Sequence, residues 1–585
     1  MIFSGLKGKS IHLNLLIFYI LLAISPFFLL SFDVSDLINY QHFYLLIVLS
    51  LYIPYFIFYL QGKEVTFHLT DLLIMVLALY CVVHSIILKV DIDSLMQSLA
   101  LIFLYAITKS VFGQIGSSEK IYTVALVPFI GVGIVQALIG LFQFFGILNS
   151  GNEYFAVCGT LLNPARLGGY LLLVIPLYFF FIYNRTNKSK KCRILHFILL
   201  SVCFIVLILT FNRSAFVGLV AAFLFGAYKI RKIRMTLPRK ALLLLAIGLV
   251  AFGLSFLKVN SATGRMSIWQ ICVEKLHPVF IGGVGMNNFQ AVFPHAQAAY
   301  FNENVVSEAR ITNSDFVRYP YNEVLNTLIE LGIVPFILIV WIIITLFRNT
   351  PDNKWVTGMK SALCGIAVYS LFSYPSKNLT VMVLVAVLAG CLAAFKSDVL
   401  VKTRFRIPRS WKYVMLIFAF VFLVFQVYSL NLFIRTRKAL DLDHKTAYEL
   451  YKTGERRFAG DRMYLFRYGK CLFRNEEYGR AAEILERTLE KMPESSVYDL
   501  LAQTYIKTEA FEKAEGLLQE GIDLYPQKHI NKYRLFKLYV VTGREEEAFR
   551  IGNVILSQKP KVPSYEYMNY QAEVTDFIQR FNSKN

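Results

Sequence analysis

The chain has 585 residues, is 56% hydrophobic, carries a formal charge of +21 and has a mean hydropathy of +0.52. Such a composition excludes an ordinary soluble globule. From Arg435 onward 26 Lys and Arg stand against 23 Asp and Glu, whereas the preceding part holds 34 against 16. Much of that basic excess sits in short links between apolar runs, where it holds a link in the cytoplasm. Nucleic acid is therefore excluded as a partner, and membrane lipid is expected instead.

Runs of roughly 20 apolar residues match the thickness of a bilayer core. Crossings are predicted near 12–31, 43–61, 70–90, 95–112, 120–146, 166–183, 195–210, 214–229, 240–257, 326–347, 358–373, 378–396 and 412–434. The first reads as an anchor rather than a cleaved signal, because no convincing small-residue cleavage site follows it. Three basic links, Arg185 to Arg193, Lys229 to Lys240 and Lys396 to Lys412, are separated by even numbers of crossings. All three then fit the cytoplasm, as do Lys7 and Lys9. This parity places the segment 258–325, and everything after the last crossing, outside the cytoplasm. The fold class is all-α: a polytopic membrane protein of 12 to 13 crossings over residues 1–434, followed by a helical repeat domain over 435–585. The eight cysteines include no CxxC and read as buried thiols, although Cys158 and Cys272 could meet outside the cytoplasm.

Candidate chemistry gathers around the 258–325 loop. Arg213 stands in LILTFNRSAFVGLVAAF between two apolar runs with almost no link, where a guanidinium is costly unless solvated, paired or bound to a ligand. Arg265 lies in SATGRMSIWQICVEKLHP, within a short helix expected to begin near Gly264. Arg166 lies in GTLLNPARLGGYLLLVIP at the start of another span. Two or three arginines on one membrane face could grip a pyrophosphate with their planar donor forks, against the plainer reading of surface or headgroup contacts. IGGVGMNNF is too short for a nucleotide motif and reads as a turn. His295 follows Pro294 in a loop and is a candidate base. In YPYNEVLNTLIELG, Asn322 is a candidate helix cap, and Glu323 and Glu330 share a helical face. Glu330, deeper in the apolar run, is expected to have the altered proton affinity. No acidic cluster or lysine-bearing glycine loop is present, so neither metal nor cofactor is expected.

From Asp441 the pattern becomes amphipathic helices of 12 to 15 residues. Pro493, Pro526 and Pro560 fall 33 and 34 residues apart, as do Ala481, Ala514 and Ala548. This spacing resembles the tetratricopeptide repeat. Helical pairs are expected at 463–491, 497–522 and 531–558, with caps near 441–458 and 566–580. The repeats are expected to recruit a protein partner or to lie over the active-site loop.

The pieces GTLLNPARLGGYLLLVIP, FNRSAFVG, GRMSIW, GVGMNNF and YNEVLNTLIELG, in that order, are similar to the O-antigen ligase family, which also includes oligosaccharide polymerases and protein O-oligosaccharyltransferases. The resemblance implies metal-independent transfer of a glycan from undecaprenyl pyrophosphate to an acceptor hydroxyl, such as that of lipid A-core, on the periplasmic face of the bacterial inner membrane. It implies that Arg213 and Arg265, with Arg166 as a candidate third, hold the donor pyrophosphate. The family's usual histidine before the motif asparagine is Tyr321 here, and a phenol with a pKa of about 10 is a poor base at neutral pH. His295 or Glu323 is then the expected replacement, unless the arginines act without a base. A polymerase, a protein O-oligosaccharyltransferase, a transporter and a non-catalytic scaffold remain as alternatives.

Overall fold

A computed structural model describes all residues except 1, 28–33, 117, 185–188, 232–258, 352, 440–442, 559, 561–563 and 585. The crossing predicted at 240–257, and part of the basic links at 185–193 and 229–240, lie outside the described residues. Among those described, eight helices are long and apolar enough to span a membrane, from Tyr40–Leu60 to Arg409–Lys438. Leu13–Ala23, Ile333–Phe347 and Leu379–Ala393 are shorter apolar helices. Lys354–Ser370 occupies the crossing expected at 358–373. The architecture is the expected all-α one, with one small β pair added.

Pro164–Asn184 is the central post, buried along most of its length. Helices starting at Arg213 and Lys354 pack against it and against each other. Where those two cross, a Cβ on Gly218 would lie 2.6 Å from the Gly365 carbonyl oxygen. Small residues let helix backbones approach where lipid supplies no hydrophobic drive. Arg409–Lys438, by contrast, turns Ile417, Phe418 and Phe420 outward, as a lipid-facing helix should.

Two sets of links separate onto two faces. On one, β1 (Glu64–His68) pairs antiparallel with β2 (Val399–Arg404), Glu64 opposite Arg404. Ser397 N–H donates to the Asn349 carbonyl at 3.0 Å on the same face. Links 62–68, 348–353 and 397–411 are those that the crossing parity groups together. The strands themselves were not expected, because each is a short segment that only its distant partner completes. Ser94, Ser214 and the link 372–377 meet the 259–330 segment on the opposite face.

The segment expected as a loop is a folded helical layer: Val259–Lys275, Phe289–Glu303, Glu308–Asn313 and Glu323–Glu330. Ile271, Phe289, Phe293, Leu325 and Ile329 form its core. Arg265 therefore sits inside a helix that starts earlier than Gly264. The crossing predicted at 326–347 is broken, with Glu323–Glu330 separated from Ile333–Phe347 at Gly332 (φ +89°). A break near hydrocarbon is tolerated only where the freed carbonyls find donors. Here Val284 N–H meets Ile329 O at 2.8 Å, Gly285 N–H meets Glu330 O at 2.9 Å, and Tyr80 OH donates to Leu331 O at 2.7 Å. The IGGVG segment is thus a turn docked on the break. Gly283 (φ +77°) is required there, since a Cβ would lie 2.6 Å from Glu330 O.

From His444 short helices pack in order: Arg462–Arg474 with Tyr478–Lys491, Ser495–Lys507 with Phe511–Leu524, and His529–Val541 with Glu545–Ser557. His444–Gly454 and Tyr565–Lys584 cover the ends. Ala481, Ala514 and Ala548 are fully buried where paired helices cross, as the repeat spacing requires. All eight cysteines are free thiols, and both Cys158 and Cys272 are buried. Tyr40, Phe43, Leu432 and Phe433 share one core with Tyr451, Phe458 and Tyr464, so packing is continuous across residue 434.

Candidate active site

The site is assembled around Tyr321, Asn322 and Glu323, the start of the short helix before the break. Asn322 caps that helix, its Oδ1 accepting from Val324 N–H at 2.9 Å and Leu325 N–H at 3.1 Å. Tyr321 takes φ +54°, a left-handed conformation that is costly for a bulky residue and is held only by its surroundings. Helix Val259–Lys275 supplies those surroundings from one face. Trp269 Nε1 donates to Pro320 O at 2.8 Å, and one turn earlier the Arg265 guanidinium lies over the Tyr321 ring at 5.1 Å.

Arg265 also reaches the amino end of the Arg213 helix. Its Nη1 donates to Phe372 O at 2.7 Å and to Ser214 Oγ at 3.3 Å. Arg213 directly precedes Ser214, so the two arginines meet the same helix end within electrostatic reach of each other. Two cations held together at a helix amino terminus make a place for an anion. Arg166 is buried on the far side of Tyr319 and Tyr374, within electrostatic reach of both and of Arg318. Tyr319 stacks on Tyr374 at 5.1 Å, and Tyr321 meets Tyr374 edge-on at 5.3 Å. These three rings form one contiguous cluster, which Arg265 meets at Tyr321 and Arg166 senses at Tyr319 and Tyr374.

Glu323 faces a cavity of about 650 Å³. One end is apolar, walled by residues such as Ile339, Ile343, Leu363 and Met382 of the crossing helices. The other end is polar, with Arg318, Asn287, Glu330 and Lys377 on the membrane-domain side. Glu323 Oε1 accepts from Ser376 N–H at 2.8 Å, and burial raises its carboxyl above the ordinary range, partly offset by that hydrogen bond and by Lys377. Glu330 instead ion-pairs with Lys377 at 2.7 Å, and the same ammonium reaches Asn287 Oδ1 at 2.7 Å. At Glu323 enclosure by the cavity wall outweighs the stabilising contacts. Burial also pushes the Tyr321 phenol up, against an opposing pull from Arg265, so it stays protonated near neutrality.

The arrangement brings together Arg213, Arg265, Tyr321, Asn322 and Glu323, with Arg166 and Glu330 close behind. Arg213 and Arg265 do not line the large cavity; they stand beside it, across the Tyr321 turn. His295 is not brought in. Its segment is helical rather than a loop, and the ring projects from Phe289–Glu303 with its side chain exposed. The helix is oriented by its buried Phe289, Phe293 and Ala296, which leaves position 295 facing outward.

Sequence reading missed Lys377, Asn287 and Arg462. Lys377 had a readable signal, a lysine in the tight link SYPSKNLT between apolar runs, the same kind of signal that marked Arg213. Asn287 lies in the quoted GVGMNNF motif and takes φ +62°, which asparagine tolerates. Arg462 opens the first helix of the first repeat, and nothing in its local pattern sets it apart.

Residues 153–340 match the model of a family described as O-Antigen ligase. That stretch is about a third of the chain and contains all the candidate residues from Arg166 to Glu330, but neither Lys377 nor Arg462. No curated protein matches the chain. Among solved structures, the crystal structure of the yeast Tom70 is similar over 82% of this chain and 95% of its own, at 11% identity and a TM-score of 0.23.

Proposed function

We propose, from the O-antigen-ligase-like domain over residues 153–340, that the chain transfers a glycan from undecaprenyl pyrophosphate to an acceptor hydroxyl of lipid A-core type. The reaction takes place on the periplasmic face of a bacterial inner membrane. The basic links put the β1–β2 face in the cytoplasm, and hence the arginines, the cavity and the repeats on the other side. The observation that carries the reading is the turn at Tyr321. It has the Arg213–Arg265 pair on one flank, while Glu323, two residues on, looks into an amphipathic cavity.

In this reading the diphosphate lies on Arg213 and Arg265, and a membrane-anchored acceptor enters the cavity with its chains among the apolar helices. The acceptor hydroxyl gives its proton to the Glu323 carboxylate as its oxygen bonds the anomeric carbon of the donor sugar. The bond from that carbon to the diphosphate oxygen breaks, and its electron pair leaves with polyprenyl pyrophosphate. Charge grows on that oxygen only as the bond breaks, so fixed guanidinium groups favour the transition state over the bound substrate. A carboxyl raised by burial is better matched to proton abstraction near neutral pH than an ordinary one. Tyr321 positions Arg265 and gives up no proton.

The test is reconstitution in proteoliposomes with purified polyprenyl-pyrophosphate glycan and three acceptors: lipid A-core, a second donor molecule, and a Ser/Thr peptide. Arg213→Ala and Arg265→Ala should each lower kcat by on the order of 100-fold or more. Unchanged product formation in both variants overturns the reading. The acceptor consumed separates ligase from polymerase and from protein transferase.

A further inference from the structure

The repeat domain reaches into the cavity. Its Gly460, Asp461, Arg462 and Met463, with Met492 from the next helical turn region, form part of the wall. Arg462 Nη1 donates to the Asn287 carbonyl at 3.1 Å, on the residue whose side chain holds Lys377. Arg462 Nη2 and Nε also lie 3.0 and 3.2 Å from the Gln290 side-chain amide oxygen, which holds the guanidinium in the cavity wall, within electrostatic reach of Tyr319, Glu330 and Asp91. This approach is built for closeness: a Cβ on Gly460 would overlap the Asp91 carboxylate.

The docking is fixed at two places. Arg457 forks onto both carboxylate oxygens of Asp93, each at 2.9 Å, and its guanidinium lies among the rings of Phe43, Phe425 and Phe458. Farther along the array, Gln527 Nε2 donates to Ser314 O at 2.7 Å, and Tyr498 and Tyr525 pack with Ala298 and Phe316. The first repeat is thereby held as a rigid wall of the polar end.

The chemistry of that end differs from the arginine pair. Besides Asp93, which Arg457 neutralises, four carboxylates there face three cations, Arg318, Lys377 and Arg462, among side-chain amides and hydroxyls. A polyanion is disfavoured by that balance. A polyhydroxylated group, which both donates and accepts at every position, is suited to it, and the apolar depth beneath suits hydrocarbon chains.

We infer that the repeat domain completes the site: Arg462 closes the polar mouth of the cavity and hydrogen-bonds the sugar head of the amphiphile bound there. The amphiphile's identity as acceptor rests on the function proposed above, but the sugar-head contact is tested apart from it. Arg462 belongs to neither the family-matched stretch nor the membrane helices, so a chain lacking the repeats would lack this contact.

The experiment uses the full chain in nanodiscs and two probes of equal chain length, n-dodecyl maltoside and octaethylene glycol dodecyl ether, with binding read by native mass spectrometry. Wild type should prefer the maltoside by at least tenfold. Arg462→Ala should lose that preference, Arg462→Lys should restore part of it, and Arg550→Ala, on the distant exposed surface, should keep it. In the transfer assay Arg462→Ala should raise the acceptor KM at least tenfold, with the donor KM unchanged and kcat within about threefold. Equal binding of both probes by wild type, or an undiminished preference in Arg462→Ala, overturns the inference. Should Arg462→Ala fold poorly, Arg462→Met, which keeps the stem but has no donor, must show the same loss. If transfer proves insensitive to Arg213 while the maltoside preference depends on Arg462, the proposed reaction fails and this site stands.

Discussion

Arg457 and Asp93 link the repeat domain to the start of a membrane helix, and their side chains are only 10% and 23% exposed. Truncating one partner of such a pair leaves a desolvated charge behind, which costs about 3–5 kcal/mol. Arg457→Ala would leave Asp93 with His42 at 3.6 Å as its nearest remaining cation, one that counts only if protonated. At about 1.4 kcal/mol per decade, the equilibrium between docked and lifted repeats should move by roughly 140- to 4000-fold. The aromatic rings around the guanidinium lose a cation–π partner in the same step, worth about 0.5–2 kcal/mol if counted separately. Hydrogen exchange at the amides of 462–474, measured in nanodiscs, reads the opening directly. The same variant should raise the acceptor KM, because Arg462 travels with this segment. Arg457→Met combined with Asp93→Leu should recover most of the docking, since an apolar pair of similar volume needs no mutual neutralisation. An exchange rate that rises less than tenfold in Arg457→Ala, or a double variant as open as the single one, refutes the argument that this pair holds the wall in place.

Burial raises the Glu323 carboxyl, so the base form is lost as pH falls through a value above the ordinary carboxylate range; the acid limb of kcat/KM should lie there and vanish in Glu323→Gln. The sign for stability is opposite: the native state holds this proton more tightly than the unfolded chain, so its contribution declines as pH rises through the raised value. Lys377→Met strands the Glu330 carboxylate, which is 5% exposed, and should destabilise the protein by about 3–5 kcal/mol in thermal unfolding, with Lys377→Met/Glu330→Gln recovering most of the loss. Gly283→Ala meets both a positive φ and the Glu330 carbonyl; at about 1–3 kcal/mol for the backbone alone it should loosen the helix break and raise exchange at residues 329–332, whereas Gly282→Ala, with open space at its Cβ, should not.

The helices and their order were legible along the chain because each follows from a local signal. A run of apolar residues of bilayer length is a span whatever it packs against, and three 33- to 34-residue repeats are a solenoid by their period alone. Arg213 was legible for the same reason, since a charge between two apolar runs is conspicuous without knowledge of its neighbours. Which charges meet was decided only by tertiary packing. His295 and Glu323 were both candidates in sequence, yet one turns outward on a helix whose other face is buried, and the other is enclosed by Ser376 from a link more than fifty residues away. The break at Gly332 was hidden within a continuous apolar run, because its compensation comes from amides at Val284 and Gly285 and from Tyr80 on another helix. Arg462 is the extreme case: its place in the cavity depends on a docking clamp at Arg457 and a missing side chain at Gly460, contacts that exist only once the repeats have folded down onto the membrane helices.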